Sequence, residues 1–94
     1  MNKILLINRL NPDDVSEERH RIFFMIGDMK NPDTENKLID VLHNSNLIEA
    51  QDLVLKYNGI ELYITIKDIP TIVKLLCDNG FSIYGVYHPY NPEG

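Results

Sequence analysis

Apolar and polar positions alternate most cleanly between Ile60 and Lys67. Ile60, Leu62, Ile64 and Ile66 fall on one side, and Glu61, Tyr63, Thr65 and Lys67 on the other. A period of two is the signature of a β-strand with one buried face. A second apolar run, Leu53 to Tyr57, precedes it, and Asn58-Gly59 lies between the two. That dipeptide predicts a two-residue hairpin turn with both central residues at positive φ. After Lys67 the period lengthens. Ile69, Ile72, Val73 and Leu76 form a helical stripe, with Asp68 placed to cap it, Pro70 in the first turn and Gly80 at its end. Phe81 to Tyr87 reads as a further strand.

The first half of the chain repeats this order. Ile22-Phe23-Phe24-Met25-Ile26 is too dense for a surface helix. Its aromatic content and its stop at Gly27-Asp28 favour a strand buried on both faces. The rival is a helix from Ser16 to Met29. Asn31-Pro32-Asp33-Thr34 starts a helix, with Asp33 or Thr34 as its cap and Leu38, Val41 and Leu42 on one face. Asn44-Ser45-Asn46 stops it. Ile4 to Ile7 is a short N-terminal strand. The predicted order from Arg21 onward is β-α-β-β-α-β. Two crossovers around a hairpin give an α+β, ferredoxin-like sandwich: an antiparallel sheet with both helices on one face, plus an extra N-terminal strand. The expectation is a single domain over 1–94, with strand and loop in 1–20, the βαββαβ core in 21–88 and a Pro-containing tail in 89–94.

Composition narrows the function classes. The formal net charge of the 94 residues is −5, and no acidic or basic block exceeds two residues. Nucleic-acid backbones are bound by clustered Lys and Arg, so they are not the expected partner. The single cysteine, Cys77, excludes an intramolecular disulfide and fits a reducing compartment. The apolar run at Ile4–Ile7 is too short for a secretion signal, and no run approaches a membrane span. A cytoplasmic protein with no membrane association is the expectation.

Candidate chemistry is sparse. Arg19-His20-Arg21 is the only basic cluster and a candidate anion site, although Glu17 and Glu18 oppose its charge. His20, His43 and His88 lack metal-ligand spacing, and no metal or cofactor is expected. Cys77 reads as a buried small hydrophobe rather than a nucleophile. No Ser/His/Asp pattern or Gly-rich phosphate loop is present, which points away from an enzyme. The tyrosines carry more. Alternation places Tyr63 opposite the core-facing Leu62 and Ile64, and Tyr84 and Val86 join it if Phe81 and Ile83 face the helices. Either Phe23 and Met25 or Phe24 and Ile26 must share that bare face, and Phe23 and Met25 are the adopted set. Phe23, Met25, Tyr63, Tyr84 and Val86 thus form a candidate interface with a protein partner or a second copy.

Parts of the chain resemble small-molecule-sensing domains of the ACT and PII-like kinds. Ile22 to Leu42 looks like their first strand, turn with Asp and Pro, and helix. Ile64 to Tyr87, with Asp68, Leu75-Leu76 and Asn79-Gly80-Phe81-Ser82-Ile83, looks like their second half. Where an ACT domain has Pro-Gly soon after the Asp, this chain has Asn31-Pro32-Asp33. The resemblance implies an effector bound at a subunit interface, near Gly27, Asp28, Asn31 and Asp33. Small CRISPR-associated nucleases of this fold carry an Asp near the position of Asp28, which makes a metal-dependent nuclease a third reading. The leading expectation is a non-enzymatic binding or regulatory protein that acts by self-association and through a protein partner. It includes a small inhibitor or adaptor.

Overall fold

The computed structural model describes Ile7–Asn8 as backbone and residues 10–89 in full. Seven regular elements follow in order: β1 (Ile7–Asn8), β2 (Arg19–Ile26), α1 (Pro32–Asn44), β3 (Leu53–Lys56), β4 (Gly59–Thr65), α2 (Ile69–Asp78) and β5 (Ile83–Pro89), with single 3₁₀ turns before β3 and α2. All neighbouring strands are antiparallel, in the order β1-β5-β2-β4-β3. This is an α+β fold compatible with a ferredoxin-like arrangement. The predicted strand over Ile4–Ile7 lies mostly outside the described residues.

The core explains why the chain adopts these elements. Ile22 and Phe24 of β2 lie opposite Leu62 and Ile60 of β4, and Ile26 lies opposite Ile83 of β5. Leu38 and Leu42 of α1 and Ile72 and Leu76 of α2 are fully buried in the same cluster, so both helices cover one face of the sheet. Each such side chain contributes about 1.5–3 kcal/mol of apolar burial. The segment from Ser16 is no helix: β2 begins at Arg19, and Phe23 and Met25 remain half-buried. The expectation of burial on both faces therefore fails, because no element among the described residues covers the second face.

The punctuation departs from expectation at three joints. Tyr57 and Asn58, not Asn58 and Gly59, are the turn residues, and neither is at positive φ. Gly59 is instead the first residue of β4, paired with Lys56, and a Cβ there would lie 2.0 Å from the Phe24 carbonyl oxygen. Its hydrogen is needed for close approach of β4 to β2. Asn31 caps α1, its side chain accepting the Asp33 N–H at 3.0 Å, while Asp33 and Thr34 lie inside the helix. Asp68 makes no side-chain cap bond to α2. The far end of α2 follows the prediction. Gly80 takes φ 87, its N–H reaches the Cys77 carbonyl at 3.1 Å, and the Phe81 N–H reaches Leu76 at 3.0 Å. These two bonds define a Schellman ending, which requires a residue free to enter the left-handed region. β5 runs past the predicted end at Tyr87 through His88 to Pro89, the latter expected in the tail, and both residues pair with β1.

Candidate functional site

The register shows what lies on the sheet face away from the helices. Arg21 is opposite Tyr63, Phe23 opposite Glu61, and Met25 opposite Gly59. On β3, Val54 and Lys56 share this face, because they lie opposite Glu61 and Gly59. On β5 the expected alternation breaks. Phe23 pairs with Tyr87, Phe24 with Val86 and Met25 with Gly85, but Ile26 pairs with Ile83, so the extra residue Tyr84 forms a bulge. Val86 therefore faces the helices and packs against the core, and is not part of the open face. Tyr84, 70% exposed, leaves the alternation and sets its ring beside Gly27. Of the five expected interface residues, Phe23, Met25 and Tyr63 are brought together and Tyr84 and Val86 are not.

Tyr87 takes the vacated place. Its ring stacks on Phe23 with centroids 6.3 Å apart and planes at 17°. It also lies across Gly85, where a Cβ would meet the Tyr87 hydroxyl at 2.4 Å. An isolated glycine inside an apolar strand is a signal for a bulge, and Gly85 was the residue that could have revealed the shift. Phe23, Met25, Tyr57 and Tyr87 line a largely apolar groove of ≈ 360 Å³, with Lys56 and Glu61 among its polar groups. Beside it, Arg21 spans Tyr63 and Glu61. Its guanidinium carbon is 5.8 Å from the Tyr63 ring centroid, and Nη1 lies 3.3 Å from the Glu61 carboxylate.

The three residues of the basic cluster do not share one face of the sheet. Strand alternation sends Arg19 and Arg21 to the open face, where each meets a carboxylate at 3.3 Å: Asp52 for Arg19 and Glu61 for Arg21. His20 points to the other side and meets His88 edge-on, with centroids 4.9 Å apart. Burial, then the neighbouring His20, holds the His88 pKa below its ordinary 6.5. Asp14 is held below its usual carboxylate value mainly by hydrogen bonds from Ser16. Cys77, expected to be buried, is exposed.

The loop expected to bind an effector is occupied by its own bonds. Asp28, at φ 63, accepts a hydrogen bond from the Thr34 hydroxyl at 2.8 Å. Asn31 is engaged as the cap of α1, and Asp33 is exposed outside the cleft. The Gly27 N–H reaches the Ser82 carbonyl at 3.0 Å, joining this loop to the one after α2. A cleft of ≈ 320 Å³ remains between the two loops, lined by Gly27, Asp28, Thr34, Lys37, Phe81 and Tyr84 among others. Lys37 donates to the Asn79 carbonyl at 2.7 Å and lies over the Phe81 ring. Among the described residues, no group of three or more His, Cys, Asp or Glu is placed to hold a metal ion, and no helix is long and apolar enough to cross a membrane. No family model, curated protein or solved structure matches the chain.

Proposed function

We propose that this is a non-enzymatic binding protein on a ferredoxin-like scaffold, acting by self-association and through a protein partner that docks on the open sheet face. One observation carries the reading. The face opposite the helices bears Phe23, Met25 and Tyr87, which line an apolar groove, and Tyr63, which shares the face without lining the groove. Aromatic side chains give large contact area at low entropic cost, as interface centres require. The charges refine the partner. The face holds Arg19, Arg21 and Lys56 against Asp52 and Glu61, one net positive charge on a chain of formal net charge −5. An acidic surface with an apolar anchor fits it.

The same rings speak against a nucleic-acid platform. Stacking needs free ring faces. Phe23 is already stacked by Tyr87, and Tyr63 is approached by Arg21. The effector-binding reading has the cleft beside Gly27 and Asp28 in its favour, but Asp28 and Lys37 are both engaged within the chain. The nuclease reading has Asp28 alone, and its carboxylate serves the loop. Tyr63→Glu and Met25→Glu place charge on the face without entering the core. The expected result is a protein retained from cell extract by the wild type and lost by both variants, whose melting temperatures stay near wild type. An identical retained set for all three proteins would remove the open face from the account.

A further inference from the structure

We propose that β3 pairs with β3 of a second copy of this chain, antiparallel and centred on Val54. The proposal rests on the reading of the protein as self-associating and assigns that association a surface and a register. β3 is the last strand in the sheet order, so one side of its backbone meets no described strand. Free edges are usually blunted by proline, bulges or several charges. β3 pairs with β4 in unbroken register, contains no proline, and carries one charge, Lys56.

The hairpin fixes which backbone groups are free. Lys56 and Gly59 close a two-residue turn, and the closing pair of such a turn is hydrogen-bonded. By alternation Val54 bonds to Glu61, and the backbone groups of Leu53 and Leu55 point away from β4. The Leu53 N–H is held by the Ala50 carbonyl. The Leu53 carbonyl and both Leu55 groups are left for a neighbour. Only pairings centred on Leu53, Val54 or Leu55 set outward groups opposite one another within the strand. The pairing centred on Val54 sets each Leu55 N–H opposite the Leu53 carbonyl of the other copy, twice by symmetry. It is also the one that brings Lys56 opposite Asp52 of the second copy, again twice. Lys56 has no ion pair among the described residues. Asp52 is engaged by Arg19 through Oδ2 only, among the described residues. Val54 and Lys56 lie on the open face, so the pairing joins two aromatic faces into one continuous surface.

The test uses disulfide trapping in the full chain with the exposed Cys77 replaced, as Val54→Cys, Cys77→Ser. Directly opposite, non-hydrogen-bonded residues have Cβ atoms about 4.5–5.5 Å apart, close enough to bridge with small adjustment. The control is Val15→Cys, Cys77→Ser, at a residue that is 77% exposed and off the edge. Under mild oxidation the Val54 variant is expected to form a disulfide dimer several-fold faster than the control. Lys56→Glu, which sets two acids against each other, is expected to abolish the dimer at concentrations where the wild type is dimeric. A dimeric wild type with equal trapping rates and an unaffected Lys56→Glu would overturn the β3 assignment and leave self-association standing. A wild type that is monomeric throughout would overturn both.

Discussion

The two glycines that punctuate the hairpin and the second helix do different work, and substitution should separate them. At Gly59 the missing Cβ makes room for the Phe24 carbonyl, 2.0 Å from where that carbon would sit. Backbone cannot yield as a flexible side chain does, so Gly59→Ala should cost about 3 kcal/mol or more in urea unfolding, at or above the upper end for overpacked sites. At Gly80 the surroundings are open, and the cost arises from φ 87. Gly80→Ala should cost about 1–2 kcal/mol, the ordinary penalty of a left-handed residue with a side chain. Equal losses would refute this division. His88 supplies a pH dependence. Its folded pKa lies below 6.5, so the unfolded chain binds the proton first as pH falls. Its contribution is present in full above 6.5 and lost as the pH drops through 6.5 toward the folded value. His88→Phe keeps a ring against His20 and removes the titration. Its melting temperature should fall less between neutral and mildly acidic pH than that of the wild type. Parallel curves would exclude His88 as a source. Little of this was legible beforehand. Asn58-Gly59 announces a turn, but whether the glycine serves φ or close approach depends on a strand more than 30 positions away.

Among the elements, caps show how local cues compete. Asn31, Asp33, Thr34 and Asp68 are all capping residue types. Only the position whose side chain reaches a free N–H contributes, and for α1 that is Asn31. At α2 a 3₁₀ turn from Ile66 to Asp68 runs directly into the helix and leaves Asp68 in helical conformation, φ −84 and ψ −10. Its side chain is not placed to accept from the first turn. Asn31→Ala should therefore destabilise the fold by about 1 kcal/mol, and Asp68→Ala by less than about 0.5 kcal/mol. Thermal unfolding of the two variants settles the order, and a larger loss at Asp68 would contradict it. Helix positions and the Gly80 ending were readable because their causes lie within a few residues. The face of β5 was not. One extra residue at Tyr84 reverses the side of Val86 and Tyr87, and a bulge is specified by the partner strand as much as by its own residues. The candidate face was thus legible on β2 and β4 and misread on β5.

At the scale of the molecule, the fold divides its labour between the two sides of the sheet. Both helices and the fully buried side chains lie on one side. The other presents Phe23, Met25, Tyr63 and Tyr87, with Lys56 at the hairpin and beside them a β3 edge that meets no described strand. Composition makes this contrast sharper, since the open face is slightly positive on an acidic chain. The described part of β1 extends the sheet sideways through β5, opposite Pro89 and His88. Sedimentation equilibrium of the unmodified protein across the micromolar range tests the account most directly. The predicted mass rises with concentration from the 10.9 kDa of one chain toward twice that value. A mass of 10.9 kDa at every concentration would contradict it.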